Sequence, residues 1–270
     1  MRPNTLTLIQ MTYTLITGAS KGIGKSMAIE CAKLGMNLIL VARSMPLLEG
    51  LKQEITKDIN IDVQLYAADL AKEGASAEVY EWCSRQKLSV DKLINNAGVN
   101  RFGSFDNLPL SEKKQVIQLN VNAVIEMTHY FLPDLLKQRE AHILIVGSTS
   151  SFIPNPYMAL YGSSKAFIYS FSRALRSELK RTNVSVSCLC PGPTKTDITS
   201  AAGMKEVDGW KANFEMSSES VARSGILGML NKKAKIVPGF SNKLTVLLSY
   251  ITPTGFLTDN AGALMKSMGK

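Results

Sequence analysis

A tyrosine and a lysine four residues apart, Tyr161 and Lys165 in YGSSK, are the pair most able to do chemistry. On a helix this spacing puts both side chains on one face. A phenol beside an ammonium is a candidate proton donor. A free tyrosine titrates near 10, and lowering it by about three units takes roughly 4 kcal/mol of preferential stabilisation of the phenolate. A surface Tyr and a solvated Lys would be the inert alternative. Ser148 lies at the end of the apolar run HILIVGS, where a hydroxyl can hold a substrate oxygen and stabilise developing charge. Thr149, Ser150 and Ser151 follow it, so several hydroxyls compete for that role.

The second chemical feature is TLITGASKGIG, residues 14–24, with Gly18, Gly22 and Gly24 between an apolar run and a helical pattern. Gly18 permits a turn with positive φ. Gly22 and Gly24 remove Cβ where a pyrophosphate and the strand backbone must come close. The helix that follows offers unpaired N–H groups and a positive dipole end to phosphates. The spacing is G-x-x-x-G-x-G, not the G-x-G-x-x-G of the common dinucleotide fingerprint. A glycine-rich turn with no ligand is the plain alternative.

These residues need a frame, and the chain supplies one. Tyr13 to Thr17, NLILVA (37–42), VQLYAA (63–68), KLIN to Asn95, HILIVGS (142–148), VSVSCLC (184–190) and KIVPG (235–239) read as strands. Helical patterns lie between them, including one long pattern over 111–138 and another around 157–180. Strands apolar on both faces, separated by helices, predict a parallel sheet of about seven strands covered on both sides. Right-handed crossovers make it a single-domain, Rossmann-like, doubly wound α/β fold. Residues 12–270 form that domain behind a loose tail, 1–11, in which Met11 is an alternative start. No Pro-, Gly- or Ser-rich linker divides it.

Composition bounds the function. Of 270 residues, 45% are hydrophobic and 20% charged, which suits a globular protein with a real core. The net charge of +9 admits nucleic acid, an anionic membrane or a phosphate-bearing ligand. The basic residues are scattered without aromatic interleaving, which argues against nucleic acid. Cys31, Cys83, Cys188 and Cys190 form no CxxC and lie far from His129 and His142, so no metal site is expected. Cys188 and Cys190 share one face of a buried strand and read as inert core thiols. Four unclustered cysteines, with no signal peptide and no apolar run near 18 residues, point to a cytoplasmic protein without a membrane span.

TGASKGIG, NNAG (95–98), a Ser before YGSSK, and PGPTKT (191–196) occur in this order across nearly the whole chain. Together they resemble the short-chain dehydrogenase/reductase family, and within it the NADP-preferring reductases of 3-oxoacyl and steroid type. The resemblance implies that Tyr161 is the general acid/base, that Lys165 supplies part of its lowering and the positive charge of the oxidised nicotinamide more, and that Lys165 also holds the nicotinamide ribose. Ser148, 13 residues before Tyr161 as the family spacing asks, holds the substrate oxygen. Asn120 supplies a backbone carbonyl, in a locally distorted helix, for a proton-relay water; Asn122 is its competitor. Gly18, Ser20, Lys21, Gly22, Ile23 and Gly24 would take the pyrophosphate end. Asn96, Ala97 and Gly98 would line the adenine ribose, although NNAG also stabilises the sheet. Asp69 and Leu70 resemble the pair beside the adenine ring, with a helix cap as the alternative for Asp69. Pro191 and Gly192 turn over the nicotinamide, and Thr194 or Thr196 meets the carboxamide or pyrophosphate.

NAD-preferring relatives carry an acid at the end of strand two. Here that position is Ala42, followed by Arg43 and Ser44. A guanidinium without a carboxylate, with Lys21 nearby, favours the 2′-phosphate of NADP(H). Residues 192–217 correspond to the family's variable substrate lid. Its Met204, Trp210, Phe214 and Met216, with Phe152, Ile153, Pro154 and Met158 facing the same region, suggest a hydrophobic ketone, acyl or steroid substrate, or merely close the lid. Residues 240–270 extend beyond compact members. Packing on the core or another subunit is the default for LTVLLSYI, and peripheral membrane contact through it and the flanking lysines is the alternative. The expected activity is NADPH-dependent carbonyl reduction, in a homodimer or homotetramer paired through the helices bearing Asn120 and Tyr161. A non-catalytic NADPH-sensing scaffold and a sugar-nucleotide epimerase are the rivals.

Overall fold

A computed structural model describes residues 11–196 and 215–268. The seven apolar runs form one parallel sheet, ordered β3-β2-β1-β4-β5-β6-β7. Its strands are β1 (Thr12–Thr17), β2 (Asn37–Ala42), β3 (Val63–Ala67), β4 (Ser89–Asn95), β5 (Ala141–Val146), β6 (Val184–Leu189) and β7 (Lys235–Ile236). The order reverses between β1 and β4. That gap opens a crevice at the carboxyl ends of the strands, where doubly wound sheets hold ligands.

Helices cover both faces. Helices α1 (Gly22–Lys33), α2 (Met45–Thr56) and α7 (Ser218–Leu230) close one core around Met27, Leu40, Ile94 and Leu144. On the other face lie α3 (Ala75–Arg85), α5 (Ala123–Leu135) and α6 (Ala159–Glu178), packed around Leu15, Val79, Phe131 and Ile143. All six residues of β5 are buried, as a strand covered on both sides requires.

The long pattern over 111–138 is not one helix. It runs as α4 (Leu110–Ile117), a π turn over Gln118–Asn122, and α5. The Ala123 N–H reaches back five residues to the Gln118 carbonyl. One extra residue in a turn leaves the apolar period almost unchanged, so the sequence pattern passes through it unbroken.

Beyond β7 come α8 (Phe240–Ser249) and α9 (Thr254–Met268). Of the two packings expected for LTVLLSYI, on its own core or on another subunit, the first holds for Val246 and not for the stripe. Val246 is buried, but Leu244, Leu247, Leu248 and Ile251 are exposed. The apolar stripe of α8 points away from the sheet.

Candidate active site

The glycine loop leaves β1 at the reversal point. Gly18 has a φ of +66°, a conformation open to glycine at little cost, and a Cβ there would lie 2.9 Å from Ala97 Cα. A methyl on Gly24 would overlap the Gly18 carbonyl oxygen and the Asn96 amide. The first turn of α1 therefore sits against the end of β1, with its N-terminus over the crevice. Ala19 N–H donates to the Val41 carbonyl at 3.2 Å, which holds the loop beside the end of β2. Lys21, exposed, is the N-cap of α1, with Ser20 and Ile23 partly buried on either side.

NNAG ties the two central strands together. Asn96 Nδ2 donates to the Thr17 and Gly18 carbonyls at 2.9 and 3.2 Å. The Asn96 and Ala97 amides both donate to Thr17 Oγ1 at 3.0 Å. Both amide protons of Asn96 are thus engaged in holding the loop closed. Thr17 was not singled out in the sequence; a threonine before Gly18 is an ordinary strand residue until the fold brings NNAG to it.

At the edge of β2, Ala42 is buried and Arg43 exposed, while Ser44 is the N-cap of α2 without a side-chain cap bond. Asp69 does not cap a helix. Its Oδ1 accepts the Ala71 N–H at 3.2 Å in a turn, and α3 begins only after Gly74. Leu70 is buried beneath it.

On the other side of the crevice, Ser148 follows β5 and caps a short 3-10 turn, accepting the Ser150 N–H at 3.1 Å. Its hydroxyl faces the Tyr161 phenol and acts to lower it. Ser151 is turned instead to the Lys165 carbonyl, at 2.9 Å. Lys165 is only 4% exposed. Its Nζ donates to the Val146 carbonyl at 2.8 Å and lies 5.7 Å from the Tyr161 ring centroid. Burial pulls the ammonium down to about 8. Burial likewise pushes the Tyr161 phenol up, opposed by the Ser148 hydroxyl. Among the protein's own groups, burial therefore outweighs what Ser148 does for the phenolate.

Asn120 sits in the π turn, completely buried. Its Oδ1 accepts the Val99 N–H at 2.8 Å, and its Nδ2 donates to the Val99 carbonyl at 2.9 Å and to Ser164 Oγ at 3.1 Å. This side chain joins NNAG to the Tyr161 helix. Asn122 is turned away, donating to Gln118 Oε1 at 2.7 Å. Gly98 lies between them; a Cβ there would come within 3.3 Å of Asn120 Oδ1 and 3.5 Å of Lys165 Nζ.

Pro191 accepts the Thr149 N–H at 2.8 Å, and Thr194 Oγ1 donates to the Gly192 carbonyl at 2.9 Å. A Cβ on Gly22, whose φ is +53°, would come within 3.0 Å of Thr196 Cγ2, so PGPTKT folds over the glycine loop. Of the lid, 197–214 lie outside the described residues, with Met204, Trp210 and Phe214. The four residues expected to face it are divided. Phe152 packs on Tyr169 and Tyr250, whereas Met158 turns inward to Asn100. Cys188 and Cys190 are fully buried, their sulfurs 3.7 Å apart.

Among the described residues, a cavity of about 440 Å³ lies between α9 and the chain preceding Tyr161, lined by Phe105, Pro156, Tyr157, Gly262 and Ala263 among others. Ser148, Tyr161 and Lys165 do not line it. Tyr157 has a φ of +62°, unusual for a bulky residue, and its carbonyl accepts the Gly103 N–H at 2.8 Å.

A doubly wound sheet with a glycine cradle on one side of its reversal point and a Ser–Tyr–Lys cluster on the other defines a nucleotide-binding α/β protein of the Rossmann class. The family model described as short chain dehydrogenase matches residues 12–206, and the chain belongs to that family. It is 36% identical over 188 residues to a very-long-chain 3-oxoacyl-CoA reductase of Vanderwaltozyma polyspora, covering 66% of this chain and 54% of that protein. It is 33% identical over 192 residues to human 17-beta-hydroxysteroid dehydrogenase type 3, covering 69% and 60% respectively. The chain thus spans about half to three-fifths of the length of these relatives. Among solved structures, it resembles a short-chain dehydrogenase from Sphingobium yanoikuyae in complex with NADPH. That match has a TM-score of 0.79 and 27% identity and covers 89% of this chain and 93% of the other.

Proposed function

We propose that this protein is an NADP(H)-dependent oxidoreductase that reduces a hydrophobic carbonyl, a ketone of 3-oxoacyl or steroid type, to an alcohol. The observation that carries the reading is buried Lys165, its ammonium held by the Val146 carbonyl over the Tyr161 ring with Ser148 beside the phenol, across the crevice from a glycine cradle that side chains would fill. Gly18, Ser20, Lys21, Gly22, Ile23 and Gly24 would hold the pyrophosphate, and Arg43 with Ser44 the 2′-phosphate. Asp69, Leu70 and the NNAG residues Asn96, Ala97 and Gly98 would border the adenosine. Pro191, Gly192, Thr194 and Thr196 would close over the nicotinamide.

The reduced nicotinamide, when bound, supplies the hydride. The chain's own residues supply the rest. Ser148 holds the carbonyl oxygen, and Tyr161 gives it a proton. A phenol is protonated at neutral pH, so the donor proton is in place, and the groups that stabilise the phenolate make it a better acid. Lys165, at about 8, is mostly charged at pH 7; it stabilises the phenolate left behind and can donate to ribose hydroxyls. The backbone carbonyl of Asn120, in the π turn, holds the relay water that returns the proton.

The names of the relatives, a 3-oxoacyl-CoA reductase and a hydroxysteroid dehydrogenase, support a carbonyl on a large apolar body. Four unpaired cysteines fit a reducing, cytoplasmic setting. Phe167, 46% exposed on the Tyr161 helix, supports pairing of two chains through that helix. The test is NADPH absorbance followed over a panel of ketones, acyl thioesters and steroids. Oxidation dependent on one of these substrates supports the reading, and tight NADPH binding without turnover on any of them supports the sensing alternative.

A further inference from the structure

Helix α8 is turned inside out. Phe240, Leu244, Leu247, Leu248 and Ile251 recur at i, i+4, i+7, i+8 and i+11, the spacing of a single stripe that in a globular helix faces the core. Here Phe240 is 83% exposed, Leu247 61% and Ile251 75%. The inward side carries Asn242 and Val246. Asn242 Nδ2 donates to the Pro238 carbonyl at 2.8 Å, and its side chain occupies the space that a Cβ on Gly192 would need. The helix is therefore fixed in this orientation by a polar residue on the inside. Phe256, 64% exposed at the start of α9, adds a further apolar group to the same C-terminal segment.

The charge on α8 itself is of one sign. It carries Lys243 and no Asp or Glu, and Lys232, Lys233 and Lys235 lie in the chain just before it, while Asp259 follows in α9. Lys232 is answered by Glu140, at 2.7 Å, and Lys235 lies 5.3 Å from the Tyr250 ring centroid at the end of α8. Lys243 is exposed on α8 itself, beside the stripe.

We propose that α8 and the start of α9 dock on an anionic phospholipid bilayer, with the stripe seated in the interface and the lysines against the headgroups. At 10 residues α8 is too short to cross a bilayer, and no helix among the described residues is long and apolar enough to do so. It lies in the membrane plane, as helices with an apolar stripe and flanking cations do. A second copy of the chain fits this face less well. A two-fold contact through α8 would bring each Lys243 towards its equivalent, with no acidic residue on that helix to answer it.

The test uses the full chain in co-sedimentation with vesicles of phosphatidylcholine alone and of phosphatidylcholine containing about 30% phosphatidylglycerol, at low and high salt. The native protein should bind the anionic vesicles, and salt should weaken that binding. Leu247→Asp with Ile251→Asp should lower the affinity at least about tenfold. Lys243→Glu, a milder surface change, should lower it about fivefold or more. A circular-dichroism melt checks that each variant keeps its fold. Native protein that stays in the supernatant overturns the proposal, as does equal vesicle binding by native protein and both variants. If sedimentation velocity instead finds an assembly that the double aspartate variant breaks, while vesicles bind nothing, a second copy covers the face and the proposal falls.

Discussion

Replacing Gly24 with alanine tests the cradle, because the structure says where the new methyl goes. Gly24 is the third residue of α1, so alanine alone would favour the helix by about 1 kcal/mol. Against that, the methyl overlaps two groups, the Gly18 carbonyl oxygen and the Asn96 amide. Backbone cannot give way as a flexible side chain does, and overpacking of this kind costs about 1–3 kcal/mol. Displacing Asn96 also weakens its bonds to Thr17 and Gly18, at about 1 kcal/mol for the two together. The net loss is about 1–3 kcal/mol. At about 2–4 °C per kcal/mol for a large domain, the melting midpoint should fall by roughly 2–12 °C. NADPH affinity should fall with it, since the same displacement reshapes the loop under the pyrophosphate. Gly50→Ala in α2 is the control. A Cβ there meets nothing within 4 Å, so the change should stabilise by about 0.5–1 kcal/mol and leave NADPH binding untouched. Thermal melts with and without NADPH read both effects. A Gly24→Ala protein with native midpoint and native affinity would refute the close approach of α1 to β1 as the reason for this glycine.

Arg43→Asp should reverse the cofactor order, because it removes a charge-assisted phosphate contact worth roughly 1.5–3 kcal/mol, or about 10- to 150-fold, and adds the missing acid; equal dissociation constants for NADPH and NADH in the native protein would count against it. The buried Lys165 ammonium titrates at about 8, so it is charged below that pH and loses its charge as pH rises through it. The NADPH dissociation constant should accordingly stay flat to about pH 8 and climb above it; a constant value up to about pH 10 contradicts a charged Lys165 at the ribose. Phe167→Asp on α6 should convert a dimer or tetramer to a single-chain species in sedimentation velocity, and a native protein already monomeric at micromolar concentration removes the pairing altogether.

What could be read from the sequence, and what could not, follows from which physical signals are local. Strands buried on both faces show themselves as apolar runs, so NLILVA and HILIV mark β2 and the interior of β5. Tyr161 and Lys165 share a helix face by spacing alone. The π turn at Asn120 is invisible to periodicity, since one inserted residue shifts the apolar face too little. Only the family resemblance pointed to a distortion there. The anchoring of Lys165 by the Val146 carbonyl leaves no side-chain trace. Thr17 becomes the clasp of NNAG only through pairing across 79 residues. For α8, spacing reveals that a stripe exists but not which way it points; Asn242 and the space over Gly192 decide that. How far burial raises the Tyr161 phenol could not be read either, because the degree of desolvation is a property of the folded site.

The central claim is that Tyr161 gives the proton, and Tyr161→Phe tests it most directly. The ring and its packing stay, and only the hydroxyl that meets Ser148 is lost. Paired measurements are needed: NADPH titration by fluorescence, and turnover on the best carbonyl from the substrate panel. NADPH affinity should change little, while turnover falls at least by the 10²–10⁴-fold typical of a lost general acid. Lys165→Ala should impair both, because that side chain also reaches the ribose. Full turnover in Tyr161→Phe would mean that the proton comes from another group, and the account of this site would be wrong.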